Sequence, residues 1–118
     1  MTISRRKVLS AAGAAAGALS LPVLAQGTAP IRIGSTLALT GPLSATALTH
    51  KLVGEIYVEG LNRRGGLMGR KVEWTVKDDQ SKPDLARTLY EQLVTSDKVD
   101  LLMGPYATGA TLRVAGGR

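Results

Sequence analysis

The chain has 118 residues, no Cys, no Phe, a single His and a formal charge of +6. That length admits one small domain. The lack of Cys excludes a disulfide scaffold or a thiolate metal site, the lone His50 argues against a histidine metal centre or a serine–histidine nucleophile pair, and 3% aromatic content with modest charge argues against a nucleic-acid binder.

The chain is not uniform along its length. Met1–Ala25 carries Arg5, Arg6 and Lys7 and no acid, so half of the net charge lies there. A basic start is followed by a mild apolar run, Val8–Ala25, rich in Ala and Gly, with Pro22 and small residues before Gln26. This is the layout of a secretory signal cleaved after Ala25. A membrane-spanning helix needs about 20 strongly apolar residues; this run is diluted by Ser10, Gly13, Gly17 and Ser20 and broken by Pro22. Ser4-Arg5-Arg6-Lys7-Val8-Leu9 is similar to the twin-arginine export motif, and an ordinary secretory signal that happens to carry two arginines is the alternative. Either route predicts an export translocon as partner. The expected organisation is therefore a signal over 1–25 and a mature segment over 26–118.

Ile31–Leu39 reads as a buried strand, with Ile31, Ile33, Leu37 and Leu39 on one alternation. Thr40-Gly41-Pro42-Leu43-Ser44 is a turn. From Ala45 to Arg64 the period becomes helical, and Leu48, Leu52, Val53, Ile56, Tyr57 and Leu61 predict an apolar stripe facing a sheet. Gly54 and Gly60 weaken that helix by ~1 kcal/mol each, which hints at close packing, and Gly65-Gly66 ends it. Lys71–Lys77 alternates with Val72, Trp74 and Val76 on one side, placing Trp74 in the core. Ser81, Pro83 and Asp84 predict a helix start of the capping-box type. Leu85, Ala86, Leu89, Tyr90, Leu93 and Val94 form its stripe. Val99–Met103 suits a central parallel strand, and Ala110–Val114 opens a third helix.

The order β-α-β-α-β-(α) implies parallel strands with right-handed crossovers, hence an open α/β sheet. A doubly wound sheet normally has five or six strands, so these elements amount to an incomplete sheet, the first part of a lobe. Taken alone, the segment is expected to be unstable or prone to aggregate, because one sheet edge and much apolar surface stay open.

Ligands of open α/β sheets bind outside the carboxyl ends of the strands. Three loops qualify: Thr40–Ser44, Asp78–Lys82 and Pro105–Gly109. The first offers Thr40, Ser44 and backbone amides. The third offers Tyr106, Thr108 and the amides of a helix start, where partial positive charge suits a carboxylate. The same residues also suit plain turn chemistry, with Thr108 capping the next helix.

At these positions the sequence resembles the amino-terminal part of the periplasmic substrate-binding proteins of ABC transporters, of the leucine/isoleucine/valine-binding type. The resemblance is carried by Ile31-Arg32-Ile33-Gly34, Leu39-Thr40-Gly41-Pro42-Leu43-Ser44, Asn62 to Val72 with its Arg63-Arg64-Gly65-Gly66, Asp78-Asp79 with Pro83, and Val99-Asp100-Leu101-Leu102-Met103-Gly104-Pro105. It covers nearly all of residues 30–114, and its specificity lies in the order and spacing of these stretches. It implies the first Rossmann-like lobe of a type I periplasmic binding protein, which closes with a second lobe on a small ligand. It also implies a role in import: capture of an amino acid or related small carboxylate or amide in the periplasm, and delivery to an inner-membrane ABC permease when full length. Carried over residue by residue, it points to Tyr106, Ala107 and Thr108 as ligand contacts, with Thr108 as hydroxyl donor, and to Leu43 and Ser44 as weaker ones. Asp78-Asp79 is expected to support loop structure. The family pattern continues beyond Leu112, whereas Ala115-Gly116-Gly117-Arg118 departs from it, so the chain reads as a truncated form.

Competing classes lack their motifs. A dinucleotide enzyme needs G-x-G-x-x-G at the first strand–helix turn, and a secreted hydrolase needs G-x-S-x-G; neither occurs. No catalytic residue, cofactor, metal or nucleic-acid partner is expected. A ligand-sensing receptor domain of the same fold is the remaining alternative. His50 receives no role, and Arg63-Arg64 and Arg70-Lys71 are expected to be solvated.

Overall fold

The computed structural model describes residues 28–116; the signal expected over residues 1–25 lies outside the described residues. Six elements follow one another: β1 (Ile31–Leu37), α1 (Ser44–Arg63), β2 (Val72–Asp78), α2 (Pro83–Thr95), β3 (Leu101–Leu102) and α3 (Thr108–Ala115). The three strands form one parallel sheet in the order β2-β1-β3. β1 pairs with β2 along its whole length, from Ile31 opposite Val72 to Leu37 opposite Asp78. It meets β3 only through Ile33–Leu101 and Gly34–Leu102. The expected mixed α/β lobe with an incomplete parallel sheet is what the chain forms.

Side chains alternate across a sheet, and each helix takes one face. Ile33 and Trp74 are register partners and share the α1 face. Gly34 and Thr36 point the other way, to α2. The approach on both faces depends on residues with little or no side chain. A Cβ on Gly54 of α1 would lie 2.2 Å from the Trp74 ring, and one on Gly34 would lie 2.9 Å from Leu93 of α2. Trp74 is half-buried and donates from Nε1 to the Ser35 hydroxyl at 2.8 Å. Leu37, Ala38 and Ala47 form the buried cluster against which Leu39, Trp74 and Val76 pack.

Several expectations need correction. The packed face of α1 is Ala47, Gly54, Val58 and Leu61, while Leu48, Leu52, Val53, Ile56 and Tyr57 are exposed. Small residues let the helix settle on the bulky Trp74, and the larger apolar groups flank that contact without cover among the described residues. Gly54 is a packing glycine, but Gly60 is not, since its Cβ would meet only the Arg64 guanidinium at 3.4 Å. The capping box does not form: Lys82 is the N-cap of α2, with no side-chain cap bond. Ser81 instead has φ of 61° and spends its hydroxyl on the β1–α1 loop. Among the described residues β3 is two exposed leucines that pair with β1 on one side. Within α2, Ala86, Tyr90 and Leu93 are buried as expected, but Val94 is exposed.

Two connections owe their shape to particular residues. After α1, Gly66 (φ 77°) passes so close that a Cβ would lie 1.9 Å from the Arg70 carbonyl oxygen, so no other residue fits. Asn62 then pairs with Val72 like a short strand, donating to its carbonyl and accepting from its amide, both at 2.8 Å. After β2, Asp78 and Asp79 build the turn that holds the β1–α1 loop. Asp78 accepts from the Thr40 hydroxyl at 2.7 Å and from the Thr40 and Gln80 amides. Buried Asp79 accepts from the Thr36 hydroxyl at 2.8 Å and the Ser81 amide at 3.0 Å. Gln80 and Ser81 are consecutive non-glycine residues with positive φ, 55° and 61°. Such backbone costs free energy unless its surroundings over-determine it, and the two carboxylates receiving both amides do so.

Partial burial pushes the Asp78 carboxyl up, but the bonds from the Thr40 hydroxyl and the Gln80, Thr40 and Leu39 amides outweigh it and hold the pKa below its ordinary value. A lowered folded-state value means stability that is present above the unfolded carboxylate pKa of about 3.9 and is lost as pH falls through the folded value. Asp78→Asn should therefore reduce stability at neutral pH and flatten the acid limb, read as urea midpoints between pH 7 and pH 3; a slope equal to wild type would refute the assignment. Gly54→Ala should cost about 1–3 kcal/mol through overpacking against Trp74. Gly60→Ala should be neutral or stabilising by up to ~1 kcal/mol. Equal urea midpoints for the two variants would show that Gly54 does not govern the helix–sheet approach.

Candidate functional site

The strand order selects among the three loops that could bind a ligand. From β1 the chain crosses to β2 on one side; from β2 it crosses back over β1 to β3 on the other. The loops leaving β1 and β3 thus run in opposite directions at the carboxyl edge and open a crevice between them. This is the switch point at which open α/β sheets take ligands. Its walls are Thr40–Ser44 and Gly104–Thr108. The Asp78–Lys82 turn, leaving β2, lies behind the first wall and supports it. Both of its carboxylates are engaged by the chain's own donors.

The first wall is tightly braced. Gly41 has φ of 87°, and a Cβ there would lie 2.8 Å from the Ser81 hydroxyl. That hydroxyl donates to the Thr40 carbonyl at 2.9 Å and accepts from the Leu43 amide at 3.3 Å. Thr40, offered by the sequence as a ligand group, is used up by Asp78. Leu43 precedes α1 as its N-cap and exposes its side chain. Ser44, half-buried, is the first residue of α1, and its amide donates to the Gly41 carbonyl at 3.1 Å.

The second wall hangs from α2. The Tyr90 hydroxyl donates to the Met103 carbonyl and accepts from the Thr36 amide at 3.3 Å, tying β1 to the end of β3. Burial pushes the Tyr90 pKa up; the bonds to Thr36 oppose this and the nearby Asp79 charge adds to it, so the hydroxyl stays a neutral donor. The Met103 amide donates to the Gly34 carbonyl at 2.9 Å. Beyond it, Ala107 is the N-cap of α3 without a side-chain cap bond. Thr108 is the first helical residue, exposed, and so is not the cap of α3. The first amides of α3 have no intrahelical acceptor and point toward the crevice end of the helix. The Thr111 hydroxyl donates to the Ala107 carbonyl at 3.0 Å, and Arg113 pairs with Asp84 of α2 at 2.6 Å, which seats α3.

Chemically, the crevice offers the Ser44 and Thr108 hydroxyls, helix-start amides and the Tyr106 ring, which is 39% exposed. Such groups suit a carboxylate or amide head with an apolar part beside it. Among the described residues no group of three or more His, Asp or Glu side chains converges as metal ligands. A groove of about 690 Å³ runs along the α1 face of the sheet, between Val53 and Tyr57 of α1 and Ile33, Val72 and Trp74 of the strands. It runs along the strands to their carboxyl ends, where Met103, Gly104 and Pro105 of the second wall border it, and it is the flank that the exposed α1 residues leave uncovered. Its crevice end is lined by Tyr106 and His50. Nothing in the order of residues connects His50 with Tyr106, because 56 positions separate them and only the fold brings them together.

Comparison with known proteins agrees with this geometry. A family model described as periplasmic binding protein matches residues 30–116. A chemotactic signal transduction system substrate-binding protein, BasB of Halobacterium salinarum, is 36% identical over 70% of this chain and 20% of its own length. The Leu/Ile/Val-binding protein BraC3 of Rhizobium johnstonii is 30% identical over 74% of this chain and 23% of its own length. The crystal structure of the branched-chain amino acid transporter substrate-binding protein LivJ of Streptococcus pneumoniae, in complex with isoleucine, superposes with a TM-score of 0.70 at 30% identity, covering 74% of this chain and 25% of that one. The chain spans about a fifth to a quarter of the length of these relatives. With the strand order, the switch-point crevice and a match over residues 30–116 in agreement, the chain belongs to the periplasmic binding protein family, with the type I fold.

Proposed function

We propose that the chain is the ligand-contacting part of the first lobe of a solute-binding component of an ABC import system, which captures an amino acid or related small carboxylate or amide in the periplasm. The observation that carries this reading is the crevice between the β1–α1 and β3–α3 loops, with exposed Thr108 heading α3. The Thr108 hydroxyl and the α3 amides would hold the head group. Tyr106 and Ala107 would border its apolar part, and Leu43 and Ser44 would close the other wall. The names of the relatives support an amino acid: BraC3 is a Leu/Ile/Val-binding protein, and LivJ was crystallised with isoleucine. Delivery to a permease and closure by a second lobe follow from the same family reading. Export to the periplasm rests on the leader, Met1–Ala25.

Sensing is the second reading, and one observation favours it: BasB serves chemotactic signal transduction. Both readings use the same crevice and differ in what the liganded protein touches next. A strain lacking the gene should lose uptake of labelled L-leucine under the first reading, and lose taxis toward it with uptake intact under the second.

Two outcomes test the assignment. In titration calorimetry of the exported protein with L-leucine, L-isoleucine and L-valine, Thr108→Ala should weaken binding by ~1–2 kcal/mol, the loss of one hydrogen bond to a charged group; unchanged affinity would remove Thr108 from the site. Amino-terminal sequencing of the exported chain should begin at Gln26, and a chain still beginning at Met1 would refute cleavage.

A further inference from the structure

His50 and Tyr106 come from different elements and meet at the mouth of the crevice. His50 lies in the second turn of α1, with Nδ1 2.8 Å from the Thr46 carbonyl oxygen. A carbonyl only accepts, so Nδ1 carries the proton and the ring is held in one orientation. Its centroid lies 4.6 Å from that of the Tyr106 ring at an interplanar angle of 47°, within the range of favourable aromatic pairs.

The loop that carries Tyr106 is anchored at both ends on the far side of the sheet. Met103 is bound to Gly34 and Tyr90, and the carbonyls of Pro105 and Ala107 accept from the Thr111 hydroxyl. On the α1 side the His50 ring meets it. His50 lies on the helical stripe of Ala47, Gly54, Val58 and Leu61, at its crevice end, where it is exposed and borders the groove. Being exposed, the imidazole contributes little to the packing of α1 on the sheet. The two rings also stand at the boundary between the crevice and the apolar groove.

We propose that His50 is a positioning residue of the ligand crevice, whose imidazole orients the Tyr106 ring and, through it, the loop that presents Ala107 and Thr108. The proposal rests on the functional reading above, in which that loop touches ligand. It adds a residue from the second turn of α1 to a site otherwise built from loops and helix starts, and makes the first turns of α1 a common support for both walls.

The test uses the exported protein with ring-labelled tyrosine, whose three residues Tyr57, Tyr90 and Tyr106 are assigned by Tyr106→Leu. His50→Ala and His50→Gln should shift the Tyr106 ring resonances and leave those of Tyr90 in place. His50→Phe, which keeps a planar ring, should return them toward wild type. The thermal midpoint should fall by no more than a few degrees in His50→Ala and His50→Gln, the loss of one aromatic pair, and stay at wild type in His50→Phe. In parallel calorimetry with L-leucine, L-isoleucine and L-valine, His50→Ala should weaken binding about two- to tenfold, the range of one aromatic pair, and His50→Phe should restore it. Unmoved Tyr106 resonances, or moved resonances with unchanged affinity, would overturn the proposal. If Thr108→Ala weakens binding and His50→Ala does not, only the role of His50 fails. If wild type binds none of the three amino acids, the amino acid reading fails and the proposal falls with it.

Discussion

Everything in this lobe depends on how closely two helices can approach the sheet. On one face α1 seats against β2, on the other α2 seats against β1, and both approaches go through positions without a side chain. Gly54 admits the edge of Trp74, and Gly34 admits the methyl groups of Leu93. Dense packing leaves no room for an extra carbon at such contacts. Once the helices are seated, their ends are seated too. The start of α1 carries Leu43 and Ser44, and Tyr90 on α2 holds the carbonyl of Met103, from which the second loop departs. The crevice is thus placed by the interior of the sheet before any residue in it is chosen.

The β2–α2 turn adds the second level of order. Asp78 and Asp79 are adjacent in sequence and serve opposite sides of the turn. One reaches Thr40 in the first wall, and the other reaches Thr36 inside β1. Ser81 completes the brace from its left-handed position. Asp78, Asp79 and Ser81 are therefore spent on the chain's own groups, yet they decide where the first wall stands. A carboxylate that accepts three hydrogen bonds, as Asp78 does, is a support, and its charge is no longer free for a ligand.

Much of this was legible in the residues, for physical reasons that differ by element. The alternation of Val72, Trp74 and Val76 is legible because a half-covered strand has to separate its faces. The Gly-rich end of α1 is legible because left-handed backbone favours glycine. The stripe of α1 misleads because periodicity reports where large apolar residues are and not which of them touch the sheet. The contact is made by Ala47 and Gly54, which hydropathy scarcely weighs. The capping box misleads because Ser81 has a stronger claim on its hydroxyl across the turn than along the helix. The loops that form the crevice can be marked on the sequence, but their adjacency cannot, since it follows from β3 joining β1 on the side away from β2. The meeting of His50 and Tyr106 is a consequence of that same placement.

The unequal ladders on either side of β1 give the two walls different mechanical characters. On the β2 side every residue of the strand has a partner, and the loop above it is braced by side chains as well. On the β3 side the ladder is two residues long, and both leucines are exposed among the described residues. Local opening is easiest where backbone bonds are few and solvated. A molecule entering the crevice would find one rigid jaw that sets the geometry of recognition, and one compliant jaw that can adjust to the shape of what it holds. Occupancy would then tighten β3 and the start of α3 and leave β2 as it was, so that selectivity for the head group and tolerance toward the rest of the molecule would reside in opposite halves of the same small sheet.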